Sequence, residues 1–356
     1  MDLLDSDYIY KKYDLGNSYQ SIYNFPLQTE TAWNEVKRII LPNDYTQSSS
    51  ILFCGMGGSA YGARIIRSLY QHELTVPIDL VSDYQIPNYV DNNTVVIAAS
   101  YSGNTEETLS AVIEAKKRKA KIIGISSGGK LQKFCIENNY PGYFFNAPLN
   151  PSNQPRLGQG YMQAGQLGIL NKLRVININN QTFVEMIRLL KATNLVLDKT
   201  YQTINNPAKK LAISLQNKIV NIIGGEFLEG ALHAIRNPFH ETAKHFANYY
   251  IVPELNHHLM EGLSHPNDLK NNSLFLFIDS DLYSFSIAKR MALTKEVVSK
   301  NGLEIIEVKL KFSEKLGQVF ETIQLGSFIT FYLAMLHKQN PAKIPWVDFF
   351  KEQLAS

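Results

Sequence analysis

Hydroxyl side chains are concentrated in one short segment, Ser100-Tyr-Ser102-Gly-Asn104-Thr105-Glu-Glu107-Thr108. The composition after it predicts a helix over residues 106–119, so Ser100, Ser102 and Thr105 crowd the start of that helix. A helix N-terminus with hydroxyl donors suits a phosphate dianion. The alternative is a plain cap, with Thr105 or Asn104 capping the helix and Glu107 or Thr108 supporting it. A cap needs one such residue, so the pattern favours phosphate binding.

A glycine-rich turn, Gly55-Met-Gly57-Gly58-Ser59-Ala60, lies between a predicted strand and a predicted helix. Its backbone amides and the helix start can face an anion. Gly55, Gly57 and Ala60 also satisfy the dinucleotide pattern Gly-x-Gly-x-x-Ala, and Asp83 follows the next strand. A tight turn that binds nothing is the third interpretation. This motif alone leaves the three interpretations open: an anion site, a dinucleotide site and a plain turn. A dinucleotide fold, however, does not require the hydroxyl cluster at Ser100–Thr105.

Apolar runs alternate with amphipathic stretches along the chain. Continuous apolar strands separated by helices predict an α/β protein with parallel sheets that are flanked by helices. We predict strands over residues 50–54, 78–81, 94–99, 121–126, 218–223, 273–278 and 303–308. We predict the other helices over residues 60–70, 162–173, 183–197, 228–235, 284–300 and 317–338. Residues 141–160 are rich in Pro, Asn and Gly and indicate a connection.

The order of strands and helices repeats after this connection. The segment that starts at Gly57 can be superposed, with a one-residue shift, on the segment that starts at Gly224, although the similarity is weak. We therefore expect two α/β domains of similar topology. The first is residues 1–151, including an N-terminal extension. The second is residues 152–356, including linker helices and a C-terminal tail.

Composition excludes several classes of function. The formal net charge is +3, from 35 Lys+Arg and 32 Asp+Glu, which gives no footprint for nucleic acid or an anionic membrane. The first residues lack the pattern of a signal peptide. The longest lipid-like run, residues 328–336, is far short of the roughly 20 residues of a membrane helix. Cys54 and Cys135 lie in apolar contexts that favour buried free thiols. We expect a cytoplasmic protein.

Together, Gly-x-Gly-Gly-Ser59 and the segment Ser100–Glu107 resemble the sugar isomerase (SIS) domain. From Phe25-Pro-Leu-Gln28 to the tail, the chain resembles the bifunctional phosphoglucose/phosphomannose isomerases. The resemblance implies two SIS domains and a cofactor-free aldose–ketose isomerase that acts through a cis-enediolate. Its substrates would be glucose 6-phosphate, and also mannose 6-phosphate, interconverted with fructose 6-phosphate. It also implies a homodimer in which His257 reaches the neighbour's site.

The resemblance assigns roles to particular residues. Glu241, in Arg236–Lys244, takes the position of the general base, although Thr242 stands where the family usually has Asn. His257, in Pro253–Gly262, takes that of the ring-opening histidine, and His258 replaces another usual Asn. Lys351 matches a lysine of the tail that assists ring opening, and Arg156 an arginine that faces the sugar oxygens. The implied phosphate-binding residues are Gly57, Gly58, Ser59, Ser100, Ser102 and Thr105.

Three other functions stay open on the residues alone. Six of the eight histidines lie between His233 and His265, and such a concentration is one sign of a metal site. Their spacings, however, match no known metal-binding motif. We therefore expect neither a metal nor a cofactor. A non-catalytic sugar-phosphate sensor would keep the Ser100–Thr105 cluster and dispense with Glu241. A nicotinamide-dependent dehydrogenase would use the glycine turn and ignore the hydroxyl cluster.

Overall fold

The computed structural model describes residues 3–355. The N-terminal extension is helical, which sequence analysis did not specify, and it packs against the body of the protein. Phe25, Ala32 and Trp33 of this region are buried in the main core. Its helices are α1 (Asp7–Tyr13), α2 (Ser18–Tyr23) and α3 (Phe25–Val36).

The first sheet has five parallel strands in the order β2-β1-β3-β4-β5. The strands are β1 (Ser50–Gly55), β2 (Ile78–Val81), β3 (Thr94–Ala99), β4 (Lys121–Ser126) and β5 (Gly142–Phe144). Every residue of β3 is buried, as expected for a strand that is covered on both faces. The helices that follow the first, third and fourth strands are α4 (Tyr61–Tyr70), α5 (Glu106–Lys117) and α6 (Gly129–Glu137).

This strand order decides where a ligand can bind. The chain runs from β1 to β2 on one side of β1 and then crosses to β3 on the other side, so the switch point lies between β1 and β3. In open α/β sheets, ligands bind at the carboxyl ends of the strands at such a point. The order differs from the 3-2-1-4-5-6 order of dinucleotide-binding domains.

The second sheet has four parallel strands in the order β7-β6-β8-β9, which repeats the order β2-β1-β3-β4. Its strands are β6 (Ile219–Gly225), β7 (Ala247–Val252), β8 (Ser273–Asp279) and β9 (Glu304–Lys309). Its helices are α10 (Glu229–Glu241), α11 (Leu259–Gly262), α12 (Leu269–Asn272) and α13 (Phe285–Lys300). Sequence analysis missed β7, and it assigned the segment of β5 to a connection.

The repeated topology corrects the superposition made from sequence. A 3₁₀ turn follows β1 and begins at Gly57, with φ +49°, and a 3₁₀ turn follows β6 and begins at Glu226, with φ +47°. Gly57 therefore corresponds to Glu226 and not to Gly224. The motif glycines misled the comparison because a non-glycine residue adopts the left-handed conformation in the second sheet.

The remaining long helices that pack on other elements are α7 (Gln159–Lys172), α8 (Asn180–Leu197), α9 (Pro207–Leu215) and α14 (Lys315–Leu336). The last helix, α15 (Pro345–Ala355), is exposed. In the described part of the chain, α14 is the one helix long and apolar enough to cross a membrane by length and composition. Of its most apolar window, 89% is buried inside the protein. That burial is typical of a core helix.

The seam between α4 and α10 joins the two halves of the molecule. A Cβ built on Gly230 would lie 2.4 Å from the Ile65 Cα atom, so this close approach requires glycine. The Gly230 N–H donates to the Ser68 Oγ atom, near the C-terminal end of α4 and the N-terminal end of α10. The helices are antiparallel, and the start of α4 therefore lies beside the end of α10.

Candidate active site

Two turns at the switch point bring the predicted phosphate-binding residues together. Ser59 follows β1 and Ser100 follows β3, and both are buried. The Ser59 Oγ atom accepts from the Tyr101 N–H at 3.0 Å, which ties the first turn to the second. Gly57 is exposed, and a Cβ built there would meet nothing within 4 Å. The first turn is therefore open to solvent at Gly57.

The start of α5 is left without a side-chain cap, which overturns the capping alternative. Thr105 is the N-cap residue, but its side chain makes no cap hydrogen bond. Its Oγ1 atom instead pairs with the Ser100 Oγ atom at 2.7 Å. Ser102 is exposed, and its Oγ atom accepts from the Asn104 N–H. Hydroxyls and uncapped amides at a helix N-terminus form an arrangement that can bind a phosphate.

Arg156 lies beside these turns and is held by four hydrogen bonds to the protein. Its Nη2 atom donates to the carbonyl oxygens of Pro341 and Ala342 at 2.6 and 2.8 Å, and Nη1 donates to the Gln154 Oε1 atom at 2.9 Å. Its Nε atom donates to the Thr242 Oγ1 atom at 3.4 Å. Burial lowers the pKa of the guanidinium, opposed by nearby negative charge, but an arginine stays charged in proteins.

Glu241 is the last residue of α10, and its carboxylate faces Arg156. The Glu241 Oε2 atom lies 3.7 Å from the Arg156 Nη1 atom. A Cβ built on Gly58 would lie 3.5 Å from the Arg156 Cα atom, so the glycine turn lies next to the arginine backbone. The structure therefore unites the glycine turn, Arg156 and Glu241 at one end of the first sheet. Thr242, the departure from the family pattern, serves as a partner of Arg156.

Tyr61 and Lys244 belong to this region and were missed by sequence analysis. The Tyr61 hydroxyl is buried close to Asn237, Glu241 and Arg156 and has no partner of normal hydrogen-bond geometry among the described residues. Burial, reinforced by the Glu241 charge, raises its pKa, so it stays protonated. Burial and the Arg156 charge lower the pKa of Lys244 to about 8. Tyr61 directly follows the glycine motif in the sequence. Its place in the site is recognised only from its burial in the structure.

Lys351 lies on α15, whose start is held by the site residues. The Lys244 Nζ atom donates to the carbonyl oxygens of Asn340 and Pro341 at 2.7 and 3.3 Å. Arg156 holds the same segment, and Asp348 of α15 is close enough to interact electrostatically with Arg156. Lys351 is exposed one helical turn after Asp348. The approach of Lys351 to the site therefore stays a prediction, although the segment before its helix is bound by Arg156 and Lys244.

His257 is not brought to this site by its own chain. Glu241 ends α10 near the start of β7, where the His240 Nε2 atom lies 2.8 Å from the Ala247 oxygen. His257 follows the other end of β7, in a short 3₁₀ turn, and is exposed. The six residues of β7 span about 20 Å. Within one chain, Glu241 and His257 therefore lie at opposite ends of the second sheet.

The remaining histidines are dispersed. The His245 Nε2 atom lies 2.6 Å from the Lys218 oxygen, and its ring stacks on His337 with centroids 5.3 Å apart. His233 lies on α10 against Tyr61 and Tyr249. Among residues 3–355, no three side chains of His, Cys, Asp or Glu converge as ligands for a metal ion.

Comparison with known families matches both halves of the chain. Residues 44–137 match the SIS domain family, and residues 204–354 match the bacterial phospho-glucose isomerase C-terminal SIS domain family. The first match contains β1 to β4 with both turns that carry the predicted phosphate-binding residues. The second contains Glu241, His257 and Lys351.

Curated relatives extend the similarity over nearly the whole chain. A bifunctional phosphoglucose/phosphomannose isomerase of Caldicellulosiruptor bescii is 30% identical over 95% of this chain and 98% of its own. The enzyme of that name from Thermoplasma volcanium is 32% identical over 86% and 91%. Among solved structures, a hypothetical protein from Thermus thermophilus has a TM-score of 0.74 at 15% identity, over 98% of this chain and 93% of its own. That structure supports the fold alone.

Proposed function

The chain belongs to the bifunctional phosphoglucose/phosphomannose isomerase family, and from this premise we propose how its residues share the reaction. It is an aldose–ketose isomerase that interconverts glucose 6-phosphate with fructose 6-phosphate. We propose that the reaction passes through a cis-enediolate. We extend the substrates to mannose 6-phosphate. The observation that carries the division of roles is the convergence of Arg156 and Glu241 on the glycine turn.

The 6-phosphate binds in the turns at the switch point. Ser59, Ser100, Ser102 and Thr105 donate hydroxyl hydrogen bonds, and Gly57 and Gly58 leave room for the phosphate against the backbone. The uncapped start of α5 adds amide donors and the positive end of the helix dipole. This orientation directs the rest of the sugar toward Arg156 and Glu241.

Glu241 takes the proton from C2 and returns it to C1. A carboxylate near neutral pH can accept a proton from carbon when it is held within hydrogen-bond reach. Arg156 stabilises the enediolate oxygen through the N–H of Nη1 that faces Glu241, because its other donors hold the protein. The proton is shuttled and no electrons leave the substrate, so the reaction needs no cofactor.

Ring opening requires a second chain. His257 moves the proton that opens the pyranose, assisted by Lys351, and a homodimer delivers His257 to the neighbour's site. Two observations support this part of the proposal. His257 and Glu241 lie at opposite ends of β7, and α15 exposes apolar side chains that a second copy can cover: Trp346, Val347, Phe349, Phe350 and Leu354.

The domain division into residues 1–151 and 152–356 and the cytoplasmic location are parts of the same proposal. The repeated strand order supports the first. Against a sugar-phosphate sensor stands the Glu241–Arg156 pair, which phosphate binding alone does not need. Against a dehydrogenase stands the strand order of the first sheet.

The test is an assay of Glu241→Gln beside the wild type, in EDTA and without nucleotide. The wild type should form fructose 6-phosphate from both aldose phosphates. The variant keeps the shape of the side chain but cannot accept the C2 proton, so kcat should fall about 10²- to 10⁴-fold. Exchange of the C2 proton with heavy water should fall equally, while phosphate binding persists. Exchange at the wild-type rate would show that another group is the base.

A further inference from the structure

Lys244 lies three residues after Glu241, where the chain leaves α10 in the left-handed conformation, with φ +53°. Its side chain folds back over the helix end, and the Nζ atom donates to the Glu241 and Thr242 carbonyl oxygens at 2.9 and 3.3 Å. The last carbonyl groups of a helix have no partner within the helix, and a cation there also meets the negative end of the helix dipole. The ammonium group of Lys244 therefore completes the end of the helix that carries Glu241.

The same ammonium group binds a second segment that is far away in the sequence. The Lys244 Nζ atom donates to the carbonyl oxygens of Asn340 and Pro341 at 2.7 and 3.3 Å. An ammonium group has three N–H donors, and four carbonyl oxygens share them here. No donor is left over for a substrate, so Lys244 acts on the protein and not on the reacting atoms.

The segment of residues 340–342 is also fixed by two other parts of the protein. Arg156 holds it through the Nη2 atom, which donates to two of its carbonyl oxygens. A Cβ built on Gly16, between α1 and α2, would lie 2.4 Å from the Ala342 Cβ atom, so the N-terminal extension leaves the segment little room to shift. The helix α15, which carries Lys351, begins three residues after Ala342. The placement of this segment therefore restricts where Lys351 can lie.

We propose that Lys244 is a positioning residue for the isomerisation. Its ammonium group joins the end of the helix that carries Glu241 to the segment that precedes Lys351, so the base and the lysine of the tail keep one relative placement. The inference rests on the proposed function for the roles of Glu241 and Lys351. It adds a third residue, which holds these two in place without touching the substrate.

The charge of Lys244 makes this role dependent on pH. Burial and the Arg156 charge lower the pKa of Lys244 to about 8, and the Glu241 charge opposes this shift. Loss of the proton leaves two N–H donors for four carbonyl oxygens and removes the charge that interacts with the helix end. Burial raises the pKa of Tyr61 and lowers that of His245, so neither changes its charge near this pH, and an arginine stays charged. The charged and titratable groups of this region are Tyr61, Arg156, Glu241, His245, His337 and Asp348.

The variant Lys244→Met tests the role, because methionine has a similar length but no donor. We expect kcat to fall about 10- to 100-fold, since a small displacement of catalytic groups has a cost of this size, while KM changes little. Hydrogen exchange of residues 343–355 should become faster. Lys338→Met is the matched control and should change neither, since Lys338 is exposed and has the same left-handed backbone, with φ +55°.

Two further measurements separate positioning from a purely structural role. The kcat of the wild type should decline above about pH 8, where Lys244 loses its proton, whereas Lys244→Arg should keep its kcat to higher pH because a guanidinium stays charged. In a Lys351→Ala background, Lys244→Met should cost much less activity than it does in the wild type, because residues that act through one another are not additive.

Three results would overturn the proposal. The first is a kcat of Lys244→Met close to that of the wild type. The second is that the effects of Lys244→Met and Lys351→Ala are fully additive. The third is that kcat of Lys244→Arg declines at the same pH as in the wild type, and this comparison decides if Lys244→Met does not fold. A wild type that forms no fructose 6-phosphate would refute the proposed function instead. Unchanged hydrogen exchange of residues 343–355 in Lys244→Met would then refute the link between the two segments as well.

Discussion

Arg156 uses most of its hydrogen-bonding capacity on the protein. An arginine has five N–H donors, and four hydrogen bonds go to Gln154, Thr242, Pro341 and Ala342. The planar guanidinium group therefore has two roles. It fixes the segment before α15, and it presents its remaining N–H donor toward Glu241. This double role follows from neighbours that are far apart in sequence.

Replacing Arg156 with Lys should separate these roles. A lysine keeps the charge but cannot hold two backbone carbonyls and face Glu241 at once. We expect kcat to fall about 10²- to 10³-fold, the cost of losing a positioned oxyanion donor, with a smaller change in KM. Hydrogen exchange should also increase in residues 341–355. A kcat within a few-fold of the wild type would contradict the assignment.

His233 predicts how stability depends on pH. Burial, with the charges of Arg64 and Arg236, lowers its pKa from 6.5 to about 4. Between these values the unfolded chain binds the proton and the folded chain does not, so acidification favours unfolding. The Tm should fall as pH drops through this window, and His233→Gln should flatten that part of the profile. His72→Gln, at an exposed position, is the control and should leave the profile unchanged. Identical profiles for His233→Gln and the wild type would refute the effect.

At the scale of single residues, sequence analysis identified the candidate site residues that belong to recognisable motifs. Glu241, Arg156 and the hydroxyl cluster were named from their segments. Tyr61 and Lys244 were not, because a tyrosine after a glycine turn and a lysine after a helix are ordinary until burial and neighbours are known. The roles of Glu241, His257, Lys351 and Arg156 remain predictions.

Among the elements, β1, β3 and the starts of α4 and α5 form the proposed phosphate site, and the second sheet does not repeat it. At the corresponding place, the Glu226 carboxylate accepts from the Ser284 N–H at the start of α13, at 3.3 and 3.2 Å. The protein's own carboxylate therefore occupies the position that an anion would take. We therefore expect one phosphate site for each chain.

The phosphate site can be tested through two hydroxyls. Ser102→Ala and Thr105→Val each remove a donor to a charged group, a loss of about 1.5–3 kcal/mol. KM should therefore rise about 10- to 100-fold, with a smaller effect on kcat. Ser110→Ala, on the same helix but bonded to the Tyr84 oxygen, is the matched control. If KM stays unchanged in both variants, the phosphate binds elsewhere.

Element prediction succeeded where the pattern was continuous. The strands β1, β3, β4, β6 and β8 lie in apolar runs that the sequence shows directly. β7 begins with Ala247-Asn248 and is half-buried along its middle, so it lacks both an unbroken apolar run and strict alternation. β5 has only three residues and lies in a segment rich in turn formers. The order of the strands was not predicted, since it depends on pairing between distant segments.

The whole molecule shows a geometry that no motif indicates. Each chain has Glu241 at one end of β7 and His257 at the other. It also exposes Trp346, Phe349 and Phe350 on its last helix, at 82%, 55% and 63% of their full surface. A large exposed apolar patch marks an interaction site. With the proposed roles of Glu241 and His257, the complete site therefore requires two chains.

A heterodimer of two inactive chains tests that claim most directly. One chain carries Glu241→Gln and the other His257→Ala, each with a different affinity tag, and the mixed dimer is purified on both tags after co-expression. Both parent homodimers should be nearly inactive on glucose 6-phosphate. In the mixed dimer, one site combines an intact Glu241 with the neighbour's intact His257, so it should have roughly half of the wild-type activity per dimer. A mixed dimer no more active than its parents would show that His257 serves its own chain's site or none.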